Sequence, residues 1–298
     1  VTSEGFTRNR ENYCYRHPDR QSFVLCQRCL RTICGECQIP AAVGVICPEC
    51  LRDQQKAQTP AQAKAQRRAS SVRVVTAHDT RPIVTYVIIA VTASIFLLQL
   101  IPGFGNALTE TLAFFAPALY PERTGVFQPW RLLTALFVHD SSGFLHVGLN
   151  MLALWMIGRS LEPLLGRGRF LTLYLLSGVG GSVAVALIAF ETPVIGASGA
   201  IYGLFGALLI IGRHIGANIT GIVVVLGINL VITFLPLLTG GPIRIAWQAH
   251  LGGLLVGMLV AFIYTRTRRA DQRGLQIGLL TAVGAGLVAL LFIPPVLW

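Results

Sequence analysis

Seven apolar runs occupy most of the chain beyond residue 82, at about 83–102, 144–164, 170–190, 198–212, 217–237, 246–264 and 275–297. A helix needs ~17–25 such residues to cross the hydrocarbon core of a bilayer. Inside lipid every backbone N–H and C=O must find its partner within its own segment, which leaves helices as the fold for separate apolar runs. The chain is 53% hydrophobic and 12% charged, which excludes a soluble globular domain for its 298 residues. The predicted fold class is an all-α polytopic membrane protein. The fourth run is the shortest. The seventh is interrupted near its end by Pro294 and Pro295, so it reads as a span or as a surface or re-entrant segment.

The first 52 residues are of a different kind. All seven cysteines lie between Cys14 and Cys50. They fall, with one histidine, into four pairs with two residues between the members: Cys14 with His17, Cys26 with Cys29, Cys34 with Cys37, and Cys47 with Cys50. Side chains at that spacing on a tight turn can reach one tetrahedral ion, with sulfur at ~2.3 Å. Eight ligands make two structural zinc sites. Seven cysteines cannot all form disulfides, and His17 completes the set. Interleaved sites, the first pair sharing an ion with the third and the second with the fourth, would resemble cross-braced B-box and RING-type fingers, but spacing alone leaves the order open. A segment this short buries too little apolar surface to fold alone, so metal would supply its folding free energy. Reduced thiolates imply a cytosolic location. The module reads as a docking domain for a cytosolic protein partner.

Residues 53–82, rich in Gln and Ala and carrying Arg68 and Arg73, read as a basic linker. The formal net charge of +11 is best explained by membrane topology, and nucleic-acid binding is the weaker reading. Arg159, Arg167, Arg169, Arg213, Arg266, Arg268, Arg269 and Arg273 all fall in loops on the side of the zinc module. The opposite loops hold Arg123, Arg131 and Arg244. The positive-inside rule therefore predicts a cytoplasmic N-terminus. The long loop 103–143, with Trp130 and Arg131, reads as interfacial.

On that orientation the second, fourth and sixth runs all begin at the outer side. Each carries polar groups at its start: His146 and Asn150, Ser198, and His250. Polar groups in a membrane segment mark function by default. Four residues separate His146 from Asn150 and Ser198 from Tyr202, which puts each pair on one helix face. Ser198 lies in Gly196-Ala197-Ser198-Gly199 at a helix start, where unpaired backbone N–H groups suit an oxyanion. Gly199, Gly203 and Gly206 form one small-residue stripe and Gly253 and Gly257 another, which would let the fourth and sixth helices approach closely and bring Ser198 to His250. No Asp or Glu lies in a run near this pair. Asp140 and Glu191 sit on outer loops, and His139, ahead of the second run, reads as loop packing.

Together these residues resemble the rhomboid intramembrane serine proteases. The match rests on GxSGxxxG from Gly196 to Gly203, AHxxGxxxG from Ala249 to Gly257, HxxxN at His146 and Asn150, the Trp130-Arg131 pair, and Glu162 at the end of the second run. It covers about 81–265. The resemblance implies a six-helix bundle, here with a seventh C-terminal span, so that residues 1–52 form the cytosolic zinc module, 53–82 the linker, 83–265 the protease core and 266–298 the extra span. It implies that Ser198 is a nucleophile and His250 its base in a dyad. Asn150 and His146 would bind the oxyanion with the Ser198 N–H, and Tyr202, Gly196 and Gly199 would support the site. Trp130, Arg131 and Glu162 would be structural. The chemistry needs no cofactor, and zinc is confined to the module. Expected partners are transmembrane protein substrates and the lipid bilayer, with no nucleic acid. The expected location is a bacterial plasma membrane, with the site opening to the outer face. The second reading is an inactive rhomboid-like protein that binds membrane clients through a zinc-finger adaptor.

Overall fold

A computed structural model of the chain describes residues 10–41, 44–57, 81–239 and 246–297. They form two compact units, divided between Asp79 and Thr80. Most of the expected linker, with Lys64, Arg68, Arg73 and His78, lies outside the described residues, as does Arg244.

The first unit has little regular structure. A two-residue antiparallel hairpin pairs β1 (Ile39–Pro40) with β2 (Val45–Ile46), and one helix, α1 (Pro48–Lys56), follows. Isolated bridges join Tyr13 to Gln21 and Leu25 to Thr32. Its interior is made of cysteines with Ile33 and Ile46. An interior of metal-ligand side chains with so few aliphatic residues is what a metal-dependent fold looks like from inside.

The second unit is helical. Each of the seven apolar runs forms one helix: α2 (Ile83–Gln99), α6 (Leu145–Leu165), α7 (Arg167–Ile188), α8 (Ser198–Ile215), α9 (Thr220–Thr239), α10 (Trp247–Arg266) and α11 (Arg273–Leu290). Among the described residues, four stretches are long and apolar enough to cross a membrane: Arg167–Ile188, Ser198–Ile215, Trp247–Arg266 and Ala270–Leu290. These apolar helices define an integral membrane protein. In α6, His146, Asn150, Arg159 and Glu162 dilute an otherwise apolar sequence.

Two boundaries differ from expectation. The fourth helix is not the short one: α8 has 18 residues against 17 in α2. Arg213 and His214 continue its last turn, and Gly216, at φ +72°, ends it in the left-handed conformation that glycine adopts readily. The seventh helix stops at Leu290, and Pro294–Leu297 forms a separate turn, α12.

The loop between α2 and α6 is built from short helices: α3 (Gly105–Leu112), a 3-10 turn at Ala116–Leu119, α4 (Pro121–Thr124) and α5 (Arg131–Thr134). Arg131 braces it by donating to the carbonyls of Glu110 (2.5 Å) and Ala113 (2.6 Å) and to Gln128. The Trp130 indole N–H points to the Thr111 carbonyl at 3.4 Å. Glu162, 2% exposed, accepts the amides of Val84 (2.9 Å) and Thr85 (2.8 Å) and the Thr85 hydroxyl (2.7 Å). It thereby caps the first turn of α2, whose amides have no intrahelical partner.

The centre of the bundle is α8, packed most extensively on α10 and also against α7. Glycine makes the first contact unusually close: a Cβ on Gly253 would overlap the Gly199 carbonyl, and one on Gly257 would overlap that of Gly203. Helix α11 lies against α7 and α10. There Gln276 accepts from Arg169 (2.9 Å) and donates to the Thr267 carbonyl (2.9 Å).

Candidate active site

The turn into α8 is fixed by three backbone ties. Val194 and Phe114 exchange hydrogen bonds at 2.8 and 2.9 Å, Gly196 N–H donates to the Ala135 carbonyl at 2.9 Å, and Ala197 N–H donates to His139 Nε2 at 3.4 Å. Gly196 has φ +115°, a conformation that excludes most side chains. Space excludes them too, because a Cβ there would lie 2.9 Å from His146 Nε2. Ser198 follows as the first residue of α8, so its N–H has no acceptor within the helix.

His250 stands in the first turn of α10 and reaches Ser198 across the glycine contact. Its Nε2 lies 2.8 Å from Ser198 Oγ. When the hydroxyl donates, Nε2 is the unprotonated nitrogen and Nδ1 carries the proton. Nδ1 is buried, with no partner among the described residues. Among those residues, therefore, the pair is not extended by a carboxylate. Orientation comes from a ring instead: Tyr202, one turn along α8, stacks on the imidazole with centroids 4.1 Å apart and planes at 9°.

His146 and Asn150 lie in the first turns of α6. His146 Nδ1 accepts the Asp140 amide at 3.3 Å, so the proton of the neutral ring is on Nε2, the atom that faces Gly196 beside Ser198. Asn150 donates one amide hydrogen to the His146 carbonyl at 2.9 Å, which fixes its side chain and leaves its second hydrogen for another acceptor. Asp140 itself accepts the Ser142 amide at 2.9 Å. The structure thus brings Ser198, His250, His146, Tyr202, Gly196 and Gly199 together, with Asn150 tied to His146. His139 also belongs to this assembly, although the sequence reads it as loop packing.

In the first unit the ligand pairs interleave. Cys14, His17, Cys34 and Cys37 form one group and Cys26, Cys29, Cys47 and Cys50 the other, each with its ligand atoms within 4.8 Å of one another. A tetrahedral ion with sulfur at ~2.3 Å sets neighbouring ligands ~3.5–3.8 Å apart. Cys29 and Cys47 are at 3.8 Å, and His17 Nδ1 lies 3.3 Å from Cys34, 3.4 Å from Cys37 and 3.8 Å from Cys14. Burial raises the Cys14 thiol, but amide donors from Cys34, Arg16 and His17 outweigh it and bring it down to about 6. Burial and neighbouring thiols push Cys37 up to about 11 and Cys50 up to about 12. Crowded thiols of this kind suit a central cation, which binds them as thiolates. Both groups fit a metal ion.

The protein is thus an integral membrane protein in which a serine and a histidine are hydrogen-bonded where two glycine-packed helices begin. Residues 126–267 match the Rhomboid domain family. Rhomboid protease GluP of Bacillus subtilis (strain 168) is 36% identical over 192 residues, 61% of this chain and 34% of its own length. RHOMBOID-like protein 2 of Arabidopsis thaliana is 38% identical over 144 residues, 46% of this chain and 42% of its own. Putative rhomboid protease YdcA of Bacillus subtilis (strain 168) is 32% identical over 139 residues, 45% of this chain and 66% of its own. The chain belongs to the rhomboid family. It spans from about a third to about two thirds of the length of these relatives.

Proposed function

We propose that the protein is an intramembrane serine endopeptidase that cleaves transmembrane or juxtamembrane segments of membrane proteins. The observation that carries this reading is the 2.8 Å contact between Ser198 Oγ and His250 Nε2. In the proposed reaction His250 Nε2 takes the Ser198 proton as Oγ attacks the scissile carbonyl carbon. The carbonyl π electrons move to oxygen, and His146 Nε2–H, the second Asn150 amide hydrogen and the Ser198 N–H receive the oxyanion. His250 then protonates the leaving amine, and the C–N bond breaks to give an acyl-serine. Water, deprotonated by the same nitrogen, releases the acid and restores the serine. Loss of one oxyanion donor would cost ~10²–10³ in rate. Tyr202, stacked on His250, supplies the orientation that an acid supplies in a triad.

The arginine-rich loops after the second, fourth and sixth apolar runs favour a cytoplasmic N-terminus, with the serine opening to the outer face of a bacterial plasma membrane. The two Cys/His groups would hold structural zinc and present the module to a cytosolic partner. Nucleic acid has no place in this reading. Reconstituted protein should cleave a single-span reporter with helix-breaking residues near the outer leaflet, and Ser198→Ala should abolish cleavage. Residual cleavage by that variant would overturn the assignment. A folded parent that binds the reporter without cutting it would instead favour an inactive client-binding protein.

A further inference from the structure

His139 has no exposed surface, and the reaction above makes no use of it. Its imidazole is nevertheless tied to both halves of the site. Nε2 accepts the amide of Ala197, the residue before the proposed nucleophile, at 3.4 Å. The same ring meets His146 edge-on, with centroids 5.0 Å apart and planes at 61°. Its backbone is gripped from outside. Gln99, 4% exposed at the end of α2, donates to the His139 carbonyl at 2.8 Å and accepts the His139 amide at 3.1 Å. Gln99 is itself fixed by Thr109 at 2.7 Å.

An imidazole here is costly as mere filler. Accepting from Ala197 leaves the neutral ring's proton on Nδ1, a buried nitrogen that interacts with the Phe137 backbone but makes no hydrogen bond of full geometry among the described residues. An aliphatic side chain would fill the space without burying a poorly paired donor. What it could not do is accept the Ala197 amide. We propose that His139 is a positioning residue: through the Ala197 amide and the His146 ring it sets the distance between the Ser198 turn and the oxyanion donors of α6. The inference rests on the protease reading.

The test is the kinetics of labelling by a fluorophosphonate, whose phosphoryl oxygen occupies the oxyanion position, on the full-length protein in detergent. The parent should label and Ser198→Ala should not. If the parent fails to label, the protease reading falls and this inference with it. Given a labelling parent, His139→Leu should lower the limiting rate by about 10²-fold, the scale of an error of ~1 Å in placement, with the half-saturating probe concentration unchanged. His139→Gln, whose Oε1 can stand where Nε2 stands, should recover most of the rate. His139→Asn, whose oxygen falls short of that point, should not. Equal rates for Gln and Asn, or a parental rate for Leu, would overturn the inference with the protease reading intact. The Gln and Asn comparison decides the matter even if the Leu variant does not fold.

Discussion

Gly253 meets Gly199 so closely that a methyl group on Gly253 would overlap the Gly199 carbonyl oxygen. One helical turn further in, Gly257 meets Gly203 in the same way. This backbone-to-backbone approach is what allows a histidine on α10 to reach a serine on α8. Gly253→Ala and Gly257→Ala should each force the helices apart, at a cost of about 1–3 kcal/mol, the range for overpacked interiors. The Gly253 change should reduce activity more than stability, because it lies within one turn of His250. Thermal unfolding and cleavage rate measured on the same preparations check both.

Gly196→Ala should act on chemistry through a different route. The residue has φ +115°, and the added Cβ would lie 2.9 Å from His146 Nε2. Strain of this kind is worth ~1–3 kcal/mol, and relief requires the turn or the His146 ring to move. The expected result is loss of most activity with a bundle that remains folded. A fully active variant would show that His146 need not hold its place.

Glu162 should be a stability residue without a catalytic share. It accepts three hydrogen bonds from Val84 and Thr85 at the start of α2. Removing it leaves the buried Thr85 donors unpaired, at ~1–3 kcal/mol for each unsatisfied group. Glu162→Ala should lower the unfolding temperature clearly, and the fraction that remains folded should label with fluorophosphonate at the parental rate.

The metal groups should behave as one cooperative unit. Each draws ligands from alternate pairs along the chain, so the segment that closes one passes through the other. Elemental analysis should find two zinc ions per chain. Cys26→Ser or Cys37→Ser should release both ions and expose the module to proteolysis. Retention of a single ion by either variant would show that the two groups fold independently.

Much of the site was legible because a bilayer makes polar residues conspicuous. His146, Asn150, Ser198 and His250 stand out in apolar runs, and helical spacing with the glycine stripes is enough to bring Ser198 and Tyr202 to His250. The ligand pairs were equally plain, whereas their interleaving depends on a chain path that spacing does not encode. Gln99 and His139 escaped for a related reason. A polar residue at the end of an apolar run is ordinary at an interface, and their mutual grip joins positions 40 apart. Helix ends were the other limit: α8 continues through Arg213 and His214 because a polar turn can extend an apolar helix until a left-handed glycine ends it.

Activation of Ser198 by His250 can be read out by covalent labelling. The purified parent, Ser198→Ala and His250→Ala would each be treated with a fluorophosphonate and examined by intact mass and peptide mapping. A single adduct on Ser198 is expected in the parent and none in either variant. An adduct on another residue, or undiminished labelling of the His250→Ala protein, would show that His250 does not activate Ser198.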